Sequence, residues 1–266
     1  MFPTNDEMTR ALRDIQQGFL RWQLWLLMGS QEIRQRYRRS WIGPFWLTLS
    51  MGVTVAALGL LYGGLFGRPL TNYLPYLAAG FVVWGLLSGL VVEGSRVFIG
   101  REGLIRQLGA PLSIYVFRTV WSNLLAFAHN LLIFVIVCVL FGKAPKLASL
   151  LFLPGVVLLL LNGVWLGLLF GVISARFRDV PQILASLVQV MFFMTPILWT
   201  ADMLPERALL LDLNPFYHLL ELVRAPMLGE VPTAATWLVV LLVTCGGWIL
   251  ALFFYARYRG RVAYWV

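Results

Sequence analysis

Six stretches of this chain run for roughly the length of a membrane crossing without a single Asp, Glu, Lys or Arg: residues 45–67, 76–92, 119–141, 147–173, 180–199 and 236–256. A helix rising about 1.5 Å per residue needs about 20 such residues to cross a hydrocarbon layer about 30 Å thick. A composition 60% hydrophobic and 12% charged leaves more apolar surface than a soluble core of this length can hide, so the surplus must face lipid. The expected fold is an all-α membrane protein with six transmembrane helices. The second stretch is short and the fourth carries Pro154-Gly155 near its start, so a tilted helix and a kinked one are expected there. No short basic leader precedes an early apolar run, so the first span, not a cleaved signal, is expected to direct insertion.

Positive residues stay preferentially on the cytoplasmic side of a membrane. Alternating the loops places Arg10, Arg13, Arg21, Arg34, Arg36, Arg38 and Arg39 on one side, together with Arg96, Arg101, Arg106, Arg176, Arg178, Arg257, Arg259 and Arg261. The other side holds Arg68, Lys143, Lys146, Arg207 and Arg224. Both termini are therefore expected to be cytoplasmic, and the net charge of +9 reads as an insertion signal. Nucleic acid is not an expected partner, because no soluble module lies between the spans to carry base-reading side chains. Cys138 and Cys245 lie inside apolar spans with no metal or disulfide spacing, and read as packing residues.

Before the first span, Met8, Leu12, Ile15, Phe19, Trp22 and Leu26 recur at helical spacing, with Arg10, Arg13, Asp14, Gln17 and Arg21 on the other face. Such a helix lies in the membrane interface. The basic and aromatic segment 31–46 that follows suits contact with a soluble partner. Between the second and third spans, residues 93–111 alternate Gly with apolar and Arg positions; periodicity alone favours a solvated loop that fixes topology.

Several chemistries are excluded. An ion-coupled carrier needs ionisable groups at membrane depth, and the spans offer only His129, which among Ser122, Asn123 and Asn130 reads as a helix-packing hydrogen-bonder. No HExxH, CxxC, paired acids or nucleophile with its base points to a membrane enzyme, and Ser88-Gly89 reads as a small-residue helix contact. A phosphate-cradling Gly-Lys-Ser/Thr loop is also missing; Gly142-Lys143-Ala144 comes nearest, on the wrong side. The chain is thus expected not to be an enzyme and to borrow any energy it uses from another polypeptide.

The run Arg34-Gln35-Arg36-Tyr37-Arg38-Arg39-Ser40-Trp41-Ile42-Gly43-Pro44-Phe45-Trp46 resembles the start of membrane (permease) subunits of ABC-type polysaccharide exporters, the O-antigen, capsule and teichoic-acid export family. Further likenesses follow in the same order: Gly103-Leu104-Ile105-Arg106 with Pro111; Arg176-Phe177-Arg178-Asp179-Val180; Phe192 to Trp199 with Thr195-Pro196; and Asn214-Pro215-Phe216-Tyr217 with Glu221 and Arg224. The resemblance implies a bacterial inner-membrane homodimer that moves a polyprenyl-linked polysaccharide, O-antigen here, from cytoplasm to periplasm. It implies two copies of an ATP-binding cassette subunit that use ATP and Mg, no cofactor or metal on this chain, and no catalytic residue. It implies re-entrant helices within 200–235 before the last span. The chain then divides into a cytoplasmic amphipathic arm and basic loop (1–44), a transmembrane domain (45–256) and a cytoplasmic tail (257–266).

By the same resemblance, Ile42 and Gly43 fall where the lipid-linked sugar enters, Ile replacing the family's Leu, and Arg96, Arg101, Glu102 and Arg106 form the element that couples to the ATPase. Arg176, Arg178 and Asp179 read as a structural pin on the cytoplasmic side, an Arg–Asp pair joining the fourth and fifth helices. Sugars stack their apolar faces on aromatic rings, so Tyr62, Phe66, Tyr76, Phe81, Trp84, Phe192, Phe193 and Trp199 are the channel-lining candidates; interfacial anchoring explains such residues equally well. The rival readings are an ABC exporter of another lipid or small molecule and an envelope-assembly scaffold that transports nothing.

Overall fold

A computed structural model describes residues 3–36, 43, 45–101, 103, 105, 109–203 and 208–266, and no strand occurs among them. The N-terminal arm is two helices, α1 (Asn5–Leu20) and α2 (Trp22–Arg36), broken at Arg21. The Thr4 hydroxyl accepts from the Glu7 N–H while the Glu7 carboxylate accepts from the Thr4 N–H, a reciprocal cap that fixes where α1 begins. There follow α3 (Phe45–Leu65), α4 (Leu70–Ser95), α5 (Ser113–Leu140), α6 (Phe152–Arg176), α7 (Val180–Met194), α8 (Ala208–Asp212), α9 (Pro215–Met227) and α10 (Ala234–Trp265). Short 3-10 turns at Ile99–Arg101, Leu147–Leu151 and Ala201–Met203 cover three of the joins.

Among the described residues, five helices are long and apolar enough to cross a membrane: α3, α4, α5, α6 with its leading turn, and α10. The expected crossing at 180–199 is cut short. Pro196 has no N–H to donate and disfavours helical backbone at the residue before it, so α7 ends at Met194 and Thr195 is extended. Its 15 residues rise only about 22 Å. The second span is not short: α4 has 26 residues and stays helical through Pro75. Pro154 falls in the first turn of α6, where no amide hydrogen bond is required, so the sequence supplies no reason for the expected kink.

α4 and α6 form the centre, with 67% and 61% of their apolar windows buried, whereas for α3 the figure is 11%. Small residues let these two helices approach. A Cβ on Gly94 would stand 3.4 Å from the Gly167 Cα, and one on Gly163 would stand 2.5 Å from Leu90. α10 closes on α6 in the same way, the Trp165 ring filling the space over Gly247.

The helix ends sort into two levels. One end of the bundle carries both chain termini, and Arg10, Arg13, Arg21, Arg96, Arg101, Arg257, Arg259 and Arg261 belong to elements that end there. The far end carries Arg68, Lys143 and Lys146, with the Lys143 ammonium donating to Asn72 at 2.8 Å.

Candidate functional site

At the termini end, α1 is fastened to the bundle by its polar face. The buried Asp14 carboxylate accepts from the N–H groups of Leu112 (3.2 Å) and Ser113 (3.1 Å), so a side chain from another helix caps the start of α5. The Tyr255 hydroxyl donates to Asp14 Oδ1 at 2.7 Å, and the Ser113 hydroxyl donates to the Asp14 carbonyl at 2.8 Å. Gly18 is needed here, since a Cβ would fall 2.0 Å from Ser113 Oγ. Glu7 pairs with Arg257 at 2.8 Å. The Thr4 N–H, and then the Arg257 guanidinium, hold the half-buried Glu7 carboxyl below its ordinary value of 4.5. Meanwhile Leu12, Phe19 and Trp22 of the expected apolar stripe are exposed, which leaves that stripe free to face lipid.

Beside this latch lies a second ionic group. Arg118 on α5 is only 6% exposed and pairs with Glu32 of α2 at 2.8 Å, while Arg101 reaches the same carboxylate at 3.5 Å. Asn123 donates to Glu93 at 2.8 Å, tying α5 to the end of α4. Of the coupling candidates, Arg101 therefore bridges the turn after α4 to α2, and Arg96 is exposed. Glu102 and Arg106 lie outside the described residues, as does Ile42. Gly43 is described, with a φ of +62° that favours glycine.

At the far end, polar side chains gather on the break after α7. The buried Arg224 of α9 donates to the Pro196 carbonyl and, through Nε at 2.9 Å, to Glu221; its guanidinium lies 4.3 Å from the centroid of the Tyr76 ring. The Tyr76 hydroxyl donates to the carbonyls of Pro196 (2.7 Å) and Trp199 (3.1 Å), and the Tyr73 hydroxyl to that of Leu198. Asn214 caps α9 through the Phe216 and Tyr217 amides and donates to Thr195 Oγ1 at 3.1 Å. Backbone that leaves the helix among apolar helices needs such partners, because lipid offers none. At the surface, Arg68 pairs with Asp202, whose carboxyl is held below its ordinary 3.8 by the Thr200 hydroxyl first and Arg68 second.

The aromatic candidates divide by position. Phe81 and Trp84 of α4 each pack 5.7 Å from Phe192, and Phe216, which was not among the channel-lining candidates, lies 5.8 Å from Trp84. Phe193 packs edge-on against Phe192. Phe66, Phe193 and Trp199 line one open groove of about 430 Å³ with Met203, Leu210 and Leu211. Tyr62 stacks 5.5 Å from Phe66, and Tyr76 sits under Arg224.

Arg176 and Arg178 turn toward α10. The Arg176 guanidinium lies 5.8 Å from the Trp265 ring centroid, and Arg178 donates to the Trp265 carbonyl at 3.2 Å. These two contacts join the end of α6 and the residues after it to α10. His129 Nδ1 donates to the Leu125 carbonyl within its own helix, 2.7 Å away, and the His129 carbonyl accepts from the Thr48 hydroxyl at 3.0 Å.

Asp14, Arg118, Tyr73 and Phe216 were not among the candidate site residues of the sequence. Asp14 and Arg118 looked like ordinary loop and arm charges; the one signal for Asp14 was that it is a lone acid between Arg10, Arg13 and Arg21. Glu221 and Arg224, three apart within an apolar run, were the stronger clue to a buried pair.

Helices with long charge-free stretches that must face lipid, packed around small-residue contacts, define a multi-pass membrane protein, and its polar clusters hold helices and backbone together. Residues 23–228 match the family described as ABC-2 type transporter, and the chain belongs to that family. It is a transporter permease subunit and not itself an enzyme, of a family whose members normally work with an ATP-binding subunit. It is 26% identical over 219 residues to the O-antigen export system permease protein RfbA of Myxococcus xanthus, across 80% of this chain and 82% of that protein. It is 22% identical over 194 residues to the protein of the same name from Klebsiella pneumoniae, across 71% of this chain and 73% of that one.

Proposed function

We propose that this chain is the transmembrane half of an ATP-driven exporter that carries lipid-linked O-antigen polysaccharide from cytoplasm to periplasm. Two copies enclose the passage, and two copies of a separate ATPase bind ATP and Mg and drive the movement. The chain sits in the inner membrane with both termini in the cytoplasm, a placement supported by the arginine excess at the termini end. α7 and the bent segment through Trp199 make a sixth crossing, with α8 and α9 re-entering the outer leaflet. Residues 1–44 form the cytoplasmic arm, 45–256 the membrane domain and 257–266 the tail.

The observation that carries this reading is the likeness, over most of both chains, to proteins named as O-antigen export permeases. It is supported by aromatic residues collected on one groove at the far end, a surface suited to the apolar faces of sugars. Tyr62, Phe66, Tyr76, Phe81, Trp84, Phe192, Phe193 and Trp199 line or support the path, and Ile42 and Gly43 border its cytoplasmic mouth. Arg96, Arg101, Glu102 and Arg106 transmit the ATPase's motion, and Arg176, Arg178 and Asp179 pin the cytoplasmic side.

Depleting the chain tests this: lipid-linked glycan should accumulate on the cytoplasmic face while the surface loses it. An unchanged glycan distribution refutes the cargo. Failure to co-purify with an ATPase bearing a phosphate-binding Gly-Lys-Ser/Thr loop favours the scaffold instead.

A further inference from the structure

One cleft at the termini end is not accounted for by transport or by the latch. It lies between the ends of α6 and α10 and has a volume of about 450 Å³. Arg176 and Arg261 border it, along with Tyr258, Trp265, Phe177 and Phe254. The positions on α10, 254, 258, 261 and 265, recur at helical spacing and so make one face.

Each arginine rests against a ring, Arg176 5.8 Å from Trp265 and Arg261 5.9 Å from Tyr258. Neither has a carboxylate within ion-pair distance among the described residues, and no acid lines the cleft. The neighbouring basic residues differ: Arg257 and Arg259 reach Glu7 and Asp14. Two guanidinium groups held by aromatic faces, with their donors unspent on acids, form a planar donor set for phosphate oxygens. The cleft stands where the charge-free parts of α6 and α10 give way to arginine, the level of lipid headgroups, and Phe177 and Phe254 continue it with apolar surface.

We infer that this cleft binds the phosphodiester headgroup of an anionic membrane phospholipid, its acyl chain lying along the apolar wall. Basic pockets between membrane helices recognise such headgroups. The site is independent of the cargo and requires only that α6 and α10 span a membrane.

The test is native mass spectrometry of the full chain released from nanodiscs containing phosphatidylglycerol or phosphatidylcholine. Retained phosphatidylglycerol should fall about fivefold in Arg176→Gln or Arg261→Gln and roughly 25-fold in the double variant. Arg13→Gln, an equal charge loss at the same end, should change nothing. Lysine at both positions should restore part of the retention. A benzophenone side chain in place of the exposed Phe177 should cross-link phosphatidylglycerol in otherwise native chain, a readout that does not depend on the arginine variants folding. Equal retention by the double variant, an equal fall with Arg13→Gln, or no cross-link overturns the inference. So does displacement of the lipid by millimolar inorganic phosphate, which marks a free-anion site, or unaltered lipid with loss of the ATPase partner, which marks a protein-docking site.

Discussion

The two ends of the bundle solve the same problem with opposite charges. At the termini end an anion, Asp14, accepts from the amides at the start of α5; at the far end a cation, Arg224, donates to a carbonyl left bare by the break after α7. The first joins a separate arm to the bundle from outside, while the second is enclosed by α4 and α9 and stitches a segment to its own neighbours. Losing the Asp14 latch should free α1 and leave the bundle standing. Losing Arg224 should damage the bundle itself.

The largest expected effect sharpens that contrast. Arg224→Ala leaves the half-buried Glu221 carboxylate without its cation and the Pro196 carbonyl with the Tyr76 hydroxyl alone, and should cost about 3 kcal/mol. Thermal unfolding in detergent should register this as a large fall in Tm or as failure to accumulate. Asp14→Ala removes an acceptor for two amides and the Tyr255 hydroxyl, and should cost about 2 kcal/mol. Its signature should be faster hydrogen exchange and proteolysis in α1, with the far end unchanged. If α1 stays protected, the latch account fails.

Smaller substitutions probe single contacts. Tyr76→Phe keeps the ring beneath Arg224 but strips the hydroxyl from the Pro196 and Trp199 carbonyls, and should cost about 1 kcal/mol. Exchange should rise at the amides of 197–200 and not in α1. The smallest effect concerns pH. Because the folded state lowers the pKa of Glu7, its contribution is complete above the ordinary value of 4.5 and disappears as pH falls through the depressed value. Proteolysis of the arm should therefore be flat from about pH 8 to pH 5 and quicken only once pH has fallen below the ordinary carboxylate value, with the onset blunted by salt. An arm already loose at pH 6 would contradict this.

The sequence made the crossings legible because lipid imposes one simple rule, length without charge, and α3 and α10 begin within two residues of where it placed them. It misjudged ends where protein, not lipid, is the neighbour. α10 runs on past residue 256 because Arg257 and Arg259 are held by α1, and α4 begins ahead of Tyr76 because Tyr73 and Tyr76 both serve the bare carbonyls of 196–199. The fifth apolar run was read by composition, which cannot register that Pro196 halts a helix. The site was less legible still. Asp14 and Arg118 matter through partners about 100 and 86 positions away, a relation no local spacing encodes. Residue type alone could single out the aromatic candidates only as a set; how they divide between the cluster on Trp84 and the groove at Trp199 required the packing.

We propose that this chain supplies a path and no power. The direct measurement is transport of lipid-linked O-antigen across proteoliposomes holding the chain alone, its ATPase alone, or both. The account predicts translocation only with both chains and ATP, and no ATP turnover by the chain alone. Translocation or ATP hydrolysis by the isolated chain would contradict it.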